Sequence, residues 1–140
     1  MTLQEIQKEL KAPKSQFNSF GNYKYRNCED ILEAVKPLLG ESILTLSDEI
    51  IMLGDRYYVK ASALFSCDNL KVEVCAYARE SIDKKGMDSA QITGAASSYA
   101  RKYALNGLFL IDDARDPDTQ DNSKKETNQE KLVANGEIPF

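Results

Sequence analysis

The chain has 140 residues, 42% of them apolar and 29% charged, with no histidine and a formal net charge of -4, a composition suited to one soluble domain with a modest core. The absence of histidine excludes Ser–His and Cys–His catalysis and histidine–metal chemistry. Residues 1–111 carry 14 Lys/Arg and 14 Asp/Glu whereas residues 112–140 carry 4 and 8, so the acidic excess lies at one end and net charge does not exclude a polyanionic partner.

Leu3, Ile6 and Leu10 have helical spacing, and so do Ile31, Leu32, Val35 and Leu38-Leu39 before Gly40. Two short helices are predicted, over 2–10 and 29–39. Between them Tyr23-Lys24-Tyr25-Arg26 alternates aromatic and basic residues, the period of a short strand or extended loop. From Ile43 to Arg79 the pattern is β: segments 43–46, 49–53, 56–67 and 70–79, separated by Ser47-Asp48, Gly54-Asp55 and Asp68-Asn69. An antiparallel meander is expected, and the Asp68-Asn69 pair suits the positive φ of a two-residue hairpin turn. In its last strand Leu70, Val72, Val74, Ala76 and Ala78 share the core face, leaving Lys71, Glu73, Cys75, Tyr77 and Arg79 on the other.

Asp88 with Gln91 three residues on reads as a capping-box variant, and Asn106-Gly107 as a stop, so a helix is predicted over 89–105. Ile92, Ala96, Tyr99 and Tyr103 recur on one of its faces, which is expected to pack on the sheet. After Ile111 a polar run from Asp112 to Asp121 begins, and 112–140 is read as a disordered acidic tail that cannot offset its ordering entropy. The fold class expected is α+β: an antiparallel meander packed with a long helix, preceded by short helices, in a domain over 1–111.

No apolar run reaches the roughly 20 residues of a membrane span, and Met1 to Glu5 lacks the features of a signal peptide, so a cytoplasmic protein is expected. Cys28, Cys67 and Cys75 have no C-x-x-C spacing and read as reduced cysteines. There is no G-x-x-x-x-G-K-[ST] phosphate loop and no G-x-G-x-x-G opening a helix. The acidic cluster lacks calcium-loop spacing and reads as a solvated linker. No catalytic set, metal site or cofactor is assigned.

What remains is a set of basic residues interleaved with aromatics: Tyr23-Lys24-Tyr25-Arg26, Arg56-Tyr57-Tyr58-Val59-Lys60, Tyr77-Ala78-Arg79, Lys84-Lys85 and Tyr99-Ala100-Arg101-Lys102-Tyr103. Single-strand binding needs cations for phosphates and flat rings for bases, and this combination suits it. The same alternation also occurs on the solvent faces of ordinary strands. In the small-residue run Thr93 to Ser98, Gly94, Ala95 and Ala96 fit tight helix-on-sheet packing, whereas Ser97, Arg101 and Lys102 are read as DNA contacts.

The run from Gly86 through Met87-Asp88-Ser89-Ala90-Gln91-Ile92-Thr93-Gly94-Ala95-Ala96-Ser97-Ser98-Tyr99-Ala100-Arg101-Lys102-Tyr103 to Phe109, with Ile111-Asp112-Asp113 after it, resembles the signature of the ERF (essential recombination function) family of phage single-stranded-DNA annealing proteins. Tyr23 to Arg26 leading into Glu29-Asp30-Ile31-Leu32, and Gly54 to Ala61, extend the resemblance to about residues 15–118. It implies ring- or filament-forming subunits that bind single-stranded DNA and pair complementary strands without nucleotide hydrolysis. The DNA contacts carried over are Arg79, Lys84, Lys85, Ser97, Arg101 and Lys102, with Tyr25, Arg26 and Lys60 as further candidates. The terminal Glu137-Ile138-Pro139-Phe140 resembles the tip by which bacterial single-stranded-DNA-binding proteins dock partner enzymes, which implies a host replication or recombination partner. A different reading is a strand-protecting accessory protein whose tail recruits host enzymes. A nuclease reading would need metal-binding carboxylates near a lysine, and no convincing set is found.

Overall fold

The computed structural model describes residues 1–112; the predicted acidic tail beyond Asp112 and the docking peptide Glu137 to Phe140 lie outside the described residues. Helices α1 (Leu3–Glu9) and α2 (Cys28–Leu39) flank a small antiparallel pair, β1 (Gln16–Asn18) and β2 (Tyr23–Tyr25). A three-stranded meander of β3 (Ile43–Leu53), β4 (Arg56–Cys67) and β5 (Leu70–Arg79) follows, and then α3 (Ser89–Phe109). The class is α+β, as expected from the sequence.

The helix starts follow local chemistry. Thr2, Asn27 and Asp88 each accept a hydrogen bond from the backbone N–H three residues on, and the side chains of Glu5, Asp30 and Gln91 each accept one from the backbone N–H of the cap residue. Each box satisfies two backbone donors that a helix start otherwise leaves open. In the two meander turns Gly54 and Asp68 take positive φ, 63° and 52°, and the strands between them stay in register over their full lengths. In β4, Val59, Ala61, Ala63 and Phe65 are fully buried, and the alternating Tyr58, Lys60, Ser62 and Leu64 are only half-buried. Strand β5 repeats the pattern with Val72, Val74, Ala76 and Ala78 packed on the core, the face predicted for them, whereas Leu70, predicted with them, stands at the strand's start and is 50% exposed.

Helix α3 packs on β4 and β5 with one side and meets α1 and α2 with another. It is therefore the central layer, and Ala100, Ala104, Leu105, Leu108 and Phe109 are buried within it together with Ile6, Ile31 and Val35 from the short helices. The Gln7 side-chain amide donates to the Leu108 carbonyl at 2.9 Å, tying α1 to the end of α3.

The structure corrects three expectations. Ser47-Asp48 is not a turn: β3 runs through it, with Ser47 opposite Ser62 and Asp48 opposite Ala61, because Asp48 finds polar partners on α3 and need not leave the sheet. Helix α3 does not stop at Asn106-Gly107 but continues to Phe109 and closes on Leu110 in the left-handed region. Burial of Leu108 and Phe109, each worth roughly 1.5–3 kcal/mol, outweighs the roughly 1 kcal/mol cost of a helical glycine. The buried stripe of α3 is also not the predicted Ile92, Ala96, Tyr99, Tyr103 face: Ala96 is buried, but Tyr99 is 46% exposed.

Gly107 lies close to β5. A Cβ built there would be 3.0 Å from Val74 Cγ1, a contact tight enough that the Val74 side chain must give way by a few tenths of an ångström. Gly107→Val is expected to lose about 1–3 kcal/mol by overpacking, read in urea unfolding; an unchanged midpoint would show that helix and strand separate freely at this point.

Candidate nucleic-acid interface

Residues that follow β5, the N-terminal half of α3, the start of β4 and the β1–β2 hairpin enclose a groove of about 560 Å³. Its walls are aromatic and basic. Tyr23 of β2, Tyr58 of β4, Tyr77 of β5, and Tyr99 and Tyr103 of α3 line it together with Arg56, Arg79 and Lys84. Tyr99 and Tyr103 are one helical turn apart, and their rings stack with centroids 6.5 Å apart and planes 26° from parallel. The Tyr23 hydroxyl accepts from the Asn18 side-chain amide at 3.1 Å, which orients that ring across its short hairpin.

The cations differ in freedom. Arg56 Nη2 donates to the Glu80 carbonyl at 3.0 Å, and the Glu80 backbone N–H donates to the Tyr57 carbonyl at 2.8 Å; the start of β4 is thus fastened to the end of β5. Glu80 Oε2 accepts from Thr93 Oγ1 at 3.0 Å, which binds α3 to the same corner. Arg79 and Lys84 are exposed and extend the basic side of the groove. Lys85 is exposed beside Lys84.

Ser97 and Arg101 form a second arrangement. Both donate to the Asp48 carboxylate, Arg101 through Nε at 3.0 Å and Nη2 at 3.2 Å, a two-pronged pairing of guanidinium with carboxylate. Burial by itself raises the pKa of Asp48, but the hydrogen bonds from Arg101 and Ser97 and the Arg101 charge outweigh it and hold the carboxyl below its ordinary value. The hydrogen bond to Asp48 raises that of Arg101. Because folding lowers the Asp48 pKa, the stabilisation is complete above the unfolded carboxyl's value of about 3.9 and is lost as pH falls through the folded value. Asp48→Asn is expected to cost roughly 1 kcal/mol at neutral pH, with the difference from the native chain shrinking as pH falls below the ordinary carboxyl range. A difference in urea midpoint that stays constant with pH would exclude the ion pair as its source.

Lys102 is 3% exposed, with its ammonium 5.9 Å from the centre of the Tyr25 ring. The aliphatic stem is buried and the charge lies over an aromatic face. Arg26 Nε donates to the Ala12 carbonyl at 2.7 Å. Lys102, Tyr25 and Arg26 thus hold the β1–β2 hairpin and the N-terminal segment to the body. Lys60 stands on the non-core face of the sheet, opposite Glu49 and Tyr77, the face that Tyr58 and Arg79 share, but is not among the residues that line the groove.

The sequence-predicted set is therefore divided among four places: Arg79 and Lys84 in the groove with Lys85 beside it, Ser97 and Arg101 on Asp48, Tyr25, Arg26 and Lys102 at the hairpin, and Lys60 outside the groove lining, on the sheet face it shares with Arg79. Sequence reasoning passed over Arg56, Tyr99 and Tyr103 as groove residues, although the aromatic-basic interleaving contained them. Nothing local marked Asp48, whose partners lie 49 and 53 residues away.

Among the described residues no cluster of His, Cys, Asp and Glu could hold a metal ion, and no helix is long and apolar enough to cross a membrane. The three cysteines form no disulfide.

The chain is similar to the essential recombination function protein of Salmonella phage P22, with 60% identity over 124 residues that cover 89% of this chain. It spans only about 60% of that relative's length. No solved structure matches it. The sequence model described as the ERF superfamily matches residues 1–138, well beyond the 15–118 over which the resemblance was read from motifs, and the chain belongs to that superfamily.

Proposed function

We propose that this protein serves phage homologous recombination by binding single-stranded DNA and annealing complementary strands, without nucleotide hydrolysis and as an assembly of identical subunits. The observation that carries the reading is the groove in which five tyrosines lie beside Arg56, Arg79 and Lys84. Stacking on an aromatic contributes roughly 1–3 kcal/mol per base and is indifferent to base identity. The cations neutralise phosphates, and this contribution too is independent of sequence. A site of this kind holds a strand by backbone and ring faces and leaves base edges for a complement. The P22 relative, named for recombination, supports the same reading. The acidic residues of 112–140 and the Glu137 to Phe140 tip fit recruitment of a host replication or recombination enzyme. Arg79, Lys84 and Lys85 are the phosphate contacts in this scheme, while Ser97 and Arg101 join them only when a phosphate displaces Asp48. The protein acts as a binder and not as a catalyst.

The test is fluorescence-monitored pairing of two complementary oligonucleotides without ATP, comparing the native chain with Arg79→Ala/Lys84→Ala. Acceleration by the native chain that the variant loses while keeping its circular dichroism supports annealing through the groove. Binding without acceleration favours strand protection, and no binding removes the reading.

A further inference from the structure

Strand β3 is incomplete on one side. It is an edge of the meander, 11 residues long, and among the described residues nothing pairs with its outer backbone. Exposed edges of this length template pairing with another chain, and proteins ordinarily blunt them with lysine, proline or a bulge. The sequence ILTLSDEIIML contains no lysine, arginine or proline, its two charges are the central Asp48 and Glu49, of which Asp48 is paired with Arg101, and its register with β4 is free of bulges. The opposite edge, β5, carries Lys71, Glu73 and Arg79. Helix α3 lies over β4 and β5, and Ile43, Ile50, Met52 and Leu53 of β3 are 60%, 50%, 61% and 57% exposed.

We infer that β3 is a seam for a second copy of this chain, paired antiparallel about a two-fold axis through Asp48. The occupant is named by the strand's own pattern, in which apolar residues flank the polar centre Ser47-Asp48-Glu49 on both sides. Turned on itself, β3 sets Leu44 opposite Met52 and Leu46 opposite Ile50 on the α3 side, and Ile43 opposite Leu53 and Thr45 opposite Ile51 on the other. A shift of two residues either way puts Asp48 against Leu46 or Ile50.

The backbone agrees. Glu80 N–H donates to the Tyr57 carbonyl, so Tyr57 directs its main-chain groups towards β5, and Met52 opposite it in β3 directs its own outward. The period of two extends this outward set to Leu44, Leu46, Asp48 and Ile50. In the two-fold register each outward residue faces another outward residue, which an antiparallel ladder requires. The one like-charged pair, Asp48 against its symmetry mate, is neutralised because each carboxylate already holds Arg101 of its own chain. The inference rests on the assembly of identical subunits proposed above and assigns one of its surfaces.

The seam is tested by co-expressing a Thr45→Cys chain with an Ile51→Cys chain, both in a Cys67→Ser/Cys75→Ser background, and oxidising the product. In this register the two positions form a close pair without hydrogen bonds, with Cα atoms about 4.5 Å apart, within disulfide reach. A cross-linked dimer containing one of each chain is expected, and neither chain expressed alone should cross-link. Ile50→Lys, checked for folding by circular dichroism, should halve the sedimenting mass. Absence of the mixed cross-link, or a mass unchanged in Ile50→Lys, overturns the seam. Single-stranded DNA binding is measured on the same samples. A chain that cross-links but binds no DNA keeps the seam and loses the proposed function; one that anneals without the cross-link does the reverse.

Discussion

Arg79→Ala/Lys84→Ala is expected to bind single-stranded DNA about 25-fold more weakly than the native chain at about 0.1 M salt, with a shallower salt dependence. Each phosphate contact on a single strand contributes about 0.7 to the slope of log affinity against log salt. Two contacts removed lower the slope by about 1.4, which over the tenfold range from about 1 M to 0.1 M is a factor of about 25. Both side chains are exposed, and surface substitutions without a packing role usually change stability by less than about 0.5 kcal/mol. Affinity and stability are therefore expected to separate in this variant. Fluorescence anisotropy of a labelled oligonucleotide at several salt concentrations measures the slope. Weaker binding at an unchanged slope would mean that the two cations meet no phosphate. Lys102→Ala has a different expected signature, because Lys102 is buried against Tyr25: lost stability at an unchanged salt slope.

Phe65→Ala is expected to cost about 3–5 kcal/mol, a large share of the roughly 5–15 kcal/mol that holds a domain of this size folded. Phe65 is fully buried, stands between Leu44 of β3 and Val72 of β5, and belongs to the core that α3 covers. Truncating it removes transfer energy and leaves a cavity that two paired neighbours cannot close without breaking the ladder. Leu64→Ala, one residue earlier and on the opposite face, should cost distinctly less because Leu64 is only half-buried. Urea unfolding followed by circular dichroism measures both, and equal losses would mean that the second sheet face is covered as completely as the first.

Sequence by itself determined the elements whose cause is local. The start of α3 was legible because a capping box needs only a side chain and a backbone amide three residues apart, and α1 and α2 because apolar residues recur there at helical spacing. The faces of β5 were legible because side chains alternate along a strand whatever it packs against. The Gly54 and Asp68 turns were marked by residue types that tolerate positive φ. The ERF resemblance belongs with these, since it rests on a contiguous run.

Tertiary structure alone decided which of two local preferences prevailed. Ser47-Asp48 reads as a turn and Asn106-Gly107 as a stop when only near neighbours count; Asp48 stays in the sheet because Ser97 and Arg101 reach it, and α3 continues because Leu108 and Phe109 have a core to enter. The division of basic residues is of the same kind. Lys102 and Arg101 are adjacent in sequence, yet one side chain is buried against Tyr25 and the other is held on Asp48. Consecutive helical residues point about 100° apart, so whether a charge meets solvent, a carboxylate or a ring depends on what packs on each side of the helix, and those partners come from distant parts of the chain.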